Sequence, residues 1–190
     1  MIFKDIVLEE RFYMDSLNEV QKIYNDASDW LKFAEAKHAG LFAIWMALLT
    51  GIVSTDLILV FNIEIKIIIV IVILFGSSIN LFSFVPFLNR SEWLKSNCYL
   101  KYSSIEENAV FYQSIFVRTY KNNIDDSIQE YKNILMRRGL TNLDNKLTID
   151  YLRQIIEVST VGTIKCYLFN LAIKYTVVAM LVAIVGLIIA

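Results

Sequence analysis

The sequence predicts an all-α membrane protein, with three transmembrane helices and helical cytoplasmic segments at the N-terminus and in the centre. Three observations predict it. Of the 190 residues 56% are apolar and 19% charged, with a single proline. Soluble domains run at roughly 45–50% apolar, glycine included, and about 25% charged. The apolar excess is gathered into three blocks. No segment sustains the apolar–polar alternation of a strand. A disordered chain would show the opposite bias.

The first block, Ala39 to Thr55, is 17 uncharged residues and can lengthen past Asp56 through Leu57 to Phe61, giving a span over 39–61. The second, Ile67 to Leu88, holds 22 uncharged residues. As a helix it rises about 33 Å, enough for a hydrocarbon core of about 30 Å, and the span is set at 65–88. The third, Tyr175 to Ala190, reaches back across Lys174 to Cys166, so the last span is 166–190. Lys174 can snorkel toward the interface. Pro86 reads as a terminator or mild kink near the end of the second span.

Charge orients these spans. The N-terminal MIFKDIVLEERF lacks the apolar region of a signal peptide. Residues 1–38 carry five basic residues and 89–165 carry eleven, whereas the connector 56–66 carries only Lys66. The positive-inside rule places 1–38 and 89–165 in the cytoplasm, and the connector and C-terminus outside.

Residues 6–38 read as a helix running into the first span. Leu17, Val20, Tyr24, Ala27, Leu31 and Ala34 make one apolar stripe. That stripe needs a partner, either the 89–165 segment or another subunit. Between Arg90 and Lys165 the pattern predicts three helical pieces. One opens at a Ser104-x-x-Glu107 capping box and runs toward Tyr120. A second covers Asp125 to Arg138, with Ile128, Tyr131, Ile134 and Leu135 on one side and Gly139 as its stop. The third is capped by Thr148 and passes from Ile149 into the last span.

The residue inventory excludes many chemistries. The net charge of −1 gives no reason to expect nucleic-acid binding. Cys98 and Cys166 cannot build a disulfide framework or a four-ligand zinc site. There is one histidine, His38, and no GxxxxGK[ST], HExxH or CxxC motif. His38 reads as interfacial or packed. The expectation is therefore a non-enzymatic protein with no metal and no cofactor.

Three segments, in order, resemble the Pycsar effector transmembrane family, the membrane module of bacterial anti-phage systems that respond to cyclic nucleotides. Phe33-Ala34-Glu35-Ala36-Lys37-His38-Ala39-Gly40-Leu41 is similar to the family's small-Asp-x-Lys-Ala run before an apolar helix, with Glu35 for Asp and His38 for Ala. Asn108-Ala109-Val110-Phe111-Tyr112-Gln113-Ser114-Ile115, followed by Glu130-Tyr131, resembles its Asn-x-x-aromatic-aromatic-Gly-x-Ile segment, with Gln113 for Gly. Gln154-Ile155, Ser159 and Lys165 resemble its Gln-Ile, Ser, Lys helix before a terminal span. The resemblance covers roughly residues 30–190. It implies an effector that oligomerises in the bacterial inner membrane and compromises it, stopping growth of infected cells. The 190 residues leave no room for the cyclic-nucleotide-binding domain typical of the family. The trigger would then be a nucleotide second messenger acting on the chain's own cytoplasmic part, or a co-encoded cyclase or sensor protein. The expected partners are thus the lipid bilayer, further copies of the chain and such a signal. The alternative is a non-pore adaptor that recruits a soluble partner through its cytoplasmic helices.

Candidate residues follow from position. Lys37 and Lys165 fall at the cytoplasmic mouths of spans one and three, where they either meet lipid headgroups or form a cationic ring that binds an anion or gates a pore. Gln154 and Lys165 lie about 20° apart in azimuth on one helix and can serve one face, whereas Ser159 is about 140° from Gln154. Interhelical hydrogen bonding is the plain alternative for all three. Gly76, Ser77, Ser78 and Asn80 interrupt the second apolar block, as packing contacts or as pore lining.

Overall fold

The computed structural model describes residues 2–54, 63–85, 91–104, 111–120 and 123–189. Among them are six helices and no strand: α1 Ile2–Ser54, α2 Ile63–Phe82, α3 Glu92–Tyr102, α4 Tyr112–Thr119, α5 Ile124–Arg137 and α6 Lys146–Ile189. They fall into two compact units. Unit 1 holds Met1–Lys32 and Leu88–Ile164, and unit 2 holds Phe33–Phe87 and Lys165–Ala190. Both α1 and α6 contribute residues to each unit.

Local chemistry explains where the helices of unit 1 begin and end. The Ser91 hydroxyl accepts from the Leu94 N–H and caps α3. This helix was not anticipated by the sequence pattern, although Leu94, Cys98 and Tyr102 recur at intervals of four and all three are buried. The Asn123 amide oxygen accepts from the Asp126 N–H at 2.8 Å and caps α5, whose first turn carries Asp125 and Asp126. Acidic groups there face the positive end of the helix dipole. At the other end Gly139 takes φ +91. Its N–H donates to the Met136 carbonyl, and the Leu140 N–H donates to the Leu135 carbonyl. These paired bonds form a Schellman stop, which needs the left-handed backbone that glycine adopts at least cost.

One predicted cap is corrected, and another falls partly outside the described residues. α6 begins at Lys146, and the Asn145 amide oxygen accepts from the Leu147 N–H at 2.9 Å. Asn145 is the cap, because it reaches the first-turn donor before Thr148 comes into register. Thr148 is inside the helix and buried. α4 opens at Phe111, which is extended and offers no side-chain cap. Ser104 lies in a turn, and Glu107 falls outside the described residues.

Unit 1 has a conventional apolar core. Val20 and Ile23 of α1 pack with Ile115 of α4, Ile128, Tyr131, Ile134 and Leu135 of α5, Leu143, and Leu152, Ile155 and Ile156 of α6. The stripe on α1 therefore finds its partner within the chain. Tyr24 and Tyr151 pack ring to ring at 5.7 Å, and Gln21 Nε2 donates to the Tyr151 hydroxyl. Burial pushes the Tyr131 phenol well above its ordinary pKa, with the Arg138 charge opposing.

Unit 2 is apolar both inside and out. Leu41 and Trp45 of α1, Ile69 and Ile73 of α2, and Ala172 and Ala179 of α6 form its core. Small residues let these helices approach closely. The tightest approach is at Gly76, where an added Cβ would lie 2.2 Å from Trp45 Cζ2. The span Lys146–Val182, in α6, is long and apolar enough to cross a membrane, and α2 carries a shorter apolar run, Ile67–Phe82. α2 ends at Phe82, where Ser83, Phe84 and Val85 tighten into i→i+3 bonds to Asn80, Leu81 and Phe82, and the last residues of the expected second span, 86–88, lie outside the described residues. Pro86 and the end of the first expected span, from Thr55 on, lie outside the described residues.

Two of the helix-interior glycines, Gly40 and Gly76, make a matched test. Gly76→Ala drives a methyl into the buried Trp45 indole and should cost about 1–3 kcal/mol. Gly40→Ala, with nothing within 4 Å of the added Cβ, should be neutral or add up to about 1 kcal/mol. Thermal unfolding in detergent, followed by tryptophan fluorescence, separates them. Equal losses in both variants would contradict the packing described.

Candidate functional site

In unit 2 a side chain of α2 and a carbonyl of α6 meet His38 of α1. Its side chain is fully buried. Nε2 lies 2.8 Å from the Lys165 carbonyl oxygen, and Nδ1 lies 3.1 Å from Asn80 Oδ1. The carbonyl can only accept, so Nε2 carries the proton that it donates. With Nε2 donating, Nδ1 accepts, so the Asn80 amide serves it through its N–H, the two arms of the amide, one at Nδ1 and one 3.3 Å from the Gly76 carbonyl, being interchangeable end for end. Phe84 and Phe169 meet the ring edge to face at 6.3 and 5.5 Å. One histidine thus joins α1, α2 and α6.

One turn earlier on α1, Glu35 Oε1 takes the Lys165 ammonium at 2.5 Å. The Lys165 side chain is 8% exposed and that of Glu35 is 45% exposed. The lysine is therefore a buried cation neutralised from the rim of the unit. Lys37 is exposed, and its ammonium lies 4.2 Å from the Phe33 ring centroid and 5.6 Å from that of Phe169. The sequence grouped Lys37 and Lys165 as like cations. Here their settings differ, since Lys165 is ion-paired and Lys37 lies over aromatic faces.

Other sequence candidates separate as well. Gln154 is exposed in unit 1. Lys165, at nearly the same azimuth on α6, is buried in unit 2. A shared azimuth eleven residues apart does not give a shared environment, because the neighbours change along a 44-residue helix. Ser159 is fully buried, and its hydroxyl has no hydrogen-bond partner among the described residues. Ser77 and Ser78 donate to the Ile73 and Leu74 carbonyls one turn back. Ser77 is buried and Ser78 exposed. Of the polar residues named in the second apolar block, Asn80 makes the interhelical side-chain contact with His38.

The sequence did not single out His38 or Glu35 as members of one cluster. A signal was present: His38 borders the first apolar block and Asn80 interrupts the second, and each needs a partner once buried.

Unit 1 holds an open cleft lined by Lys95, Tyr120, Arg153 and Glu157 among others. Lys95 pairs with Glu92 at 3.0 Å, and Arg153 approaches Asp125 at 3.6 Å. Its two cations are thus already partnered by carboxylates. Among the described residues no three His, Cys, Asp or Glu side chains cluster as a metal site would require. Arg137 and Arg138 are exposed.

A family model described as the Pycsar effector protein domain matches residues 19–190. No curated protein and no solved structure matches the chain.

The Glu35–Lys165 pair has an asymmetric consequence. Glu35→Gln leaves a buried ammonium without its anion, whereas Lys165→Met removes the buried charge and keeps the bulk. Glu35→Gln should lose about 1–2 kcal/mol, a figure kept low because the carboxylate is half exposed. Lys165→Met should lose less, and the double variant should match Lys165→Met. Denaturation curves of the three proteins in detergent check the order, and the reverse order would refute this account.

Proposed function

The chain belongs to the Pycsar effector family, and from that premise we propose that it acts as an anti-phage effector by disrupting the bacterial inner membrane as a homo-oligomer. The family implies the effector role in bacterial defence. The disruption, the oligomer and the trigger are the proposal's own content.

The observation that carries it is the distribution of exposed apolar side chains. Of the 25 large ones among the described residues, 19 lie in unit 2, including Ile63, Ile67, Ile71, Leu81, Leu181 and Val185. Unit 1 contributes six, scattered over α1, α3, α5 and α6. Soluble proteins rarely leave so many large apolar side chains of one unit in water. Lipid is the solvent they suit. In this reading unit 2 is the membrane part, crossed three times by α1, α2 and α6, with unit 1 in the cytoplasm and the C-terminus outside. The basic residues concentrated in 1–38 and 89–165 support that orientation.

The trigger then acts on unit 1. A nucleotide second messenger or a co-encoded sensor would bind one arrangement of unit 1 better than another. Its binding energy would shift the population toward an open or clustered form of the spans. Gln154, Ser159, Lys37 and Lys165 are the candidate positions for sensing and gating. Ser77, Ser78 and Asn80 are the candidates for packing or lining.

The test is induced expression in bacteria with a membrane-potential dye, with and without phage. Infected cells expressing the chain should depolarise and stop growing before they lyse. Unchanged potential in both conditions, with the chain in the membrane fraction, would remove this reading and leave a non-pore adaptor.

A further inference from the structure

Lys174 is exposed on α6, nine residues beyond Lys165. At 1.5 Å per residue it stands about 13 Å further along the helix, and about 24 Å short of Ala190. If Lys165 marks the cytoplasmic mouth, Lys174 lies nearly halfway through a hydrocarbon core of about 30 Å. The buried seam of α6 in unit 2 is Leu168, Ala172, Thr176 and Ala179, which falls within about 80° of arc at 100° per residue. Asn170 and Lys174 are both exposed and each lies about 20° from the pole opposite that seam. The face turned furthest from the chain's own core therefore carries an amide and an ammonium one turn apart. Around them the surface is apolar: Ile173, Val177, Val178 and Leu181 are all exposed. Lys174 makes no ion pair among the described residues. Of the described acidic residues in unit 2, Glu35 is engaged by Lys165, and Glu64 sits in the first turn of α2.

A charged group at that depth does not face hydrocarbon stably; it faces protein or a water-filled cavity. Lys174 lies opposite the seam that packs on the described core, where Trp45, Ile73 and Ala172 are buried at 0–1% exposure, so that core does not supply its surroundings. Water at Lys174 must then lie outside one copy, between copies. We propose that the Asn170–Lys174 face lines a water-filled path shared by several copies of this chain, and that the ring of Lys174 ammonium groups makes the path favour small inorganic anions. This rests on the membrane-disrupting oligomer proposed above and adds its lining and its selectivity. Rings of lysine or arginine select for anions by the field they place on a narrow path. Leu181 sits two turns beyond Lys174 on the same face, where an apolar ring would narrow the path and hold it dry in the resting form.

The test uses the full chain, reconstituted in planar bilayers of phosphatidylethanolamine and phosphatidylglycerol under a tenfold KCl gradient. The reversal potential of the wild-type conductance should lie toward the chloride equilibrium potential. Lys174→Arg should keep it there, Lys174→Gln should move it toward zero, and Lys174→Glu should carry it past zero toward potassium. Should Lys174→Glu fail to insert, the Gln and Arg pair still decides the matter. Conductance that keeps wild-type selectivity in Lys174→Gln would place Lys174 at the headgroups and overturn the inference alone. Wild-type conductance with no anion preference would do the same. Where the resting wild type is silent without its trigger, Leu181→Ser, which wets the constriction, serves as the parent for the Lys174 series; absence of conductance in both would overturn the inference and the reading beneath it.

Discussion

Unit 2 is organised by the requirement that one fully buried imidazole be satisfied at both nitrogens. In a dry interior an unpaired polar group costs far more than a single hydrogen bond contributes. His38 therefore cannot be buried unless Asn80 and the Lys165 carbonyl arrive with it. Those two contacts set the level at which α2 and α6 meet α1. The rest follows in register. Seven residues on from His38, Trp45 seats against Gly76, four residues before Asn80. Apolar packing alone would tolerate a slide of one helix along another, whereas the histidine does not. Polar groups inside apolar bundles specify position in this way, even when their net contribution to stability is modest.

Lys165 shows the same economy of partners. Its backbone oxygen serves His38, and its side chain reaches Glu35. One residue thus joins two positions of α1, a turn apart, to α6. The ammonium is buried and its counter-charge sits at the rim. This arrangement leaves Lys37 as the exposed cation of the pair that the sequence brought forward, held against the Phe33 ring.

Unit 1 depends on different physics. Short helices pack there against parts of two long ones, and α1, α4, α5 and α6 all contribute to one core. Ser91, Asn123 and Asn145 start helices, and Gly139 stops one. Much of this was readable in advance. The stripe on α1, the apolar side of α5 and the glycine stop are local patterns, and local patterns survive folding. α3 was missed because its buried residues number only three over eleven positions, too few for the periodicity to stand out. Thr148 was mistaken for a cap because hydroxyl and amide caps compete within a few residues, and only backbone geometry decides between Asn145 and Thr148.

By itself the sequence determined that the described chain is helical, where the apolar blocks fall, and which family the chain resembles. Hydropathy and helical period are properties of neighbouring residues, so they are written in the order of the chain. Tertiary structure alone decided which polar residues meet. His38 is 42 residues from Asn80 and 127 from Lys165, and Glu35 is 130 from Lys165. Contacts at such separations depend on how three helices pack, and no periodicity along one helix encodes them. That is why Gln154 and Lys165, aligned on paper, end in different surroundings, and why the lone histidine, which sequence reading leaves as a packed or interfacial residue, holds unit 2 together.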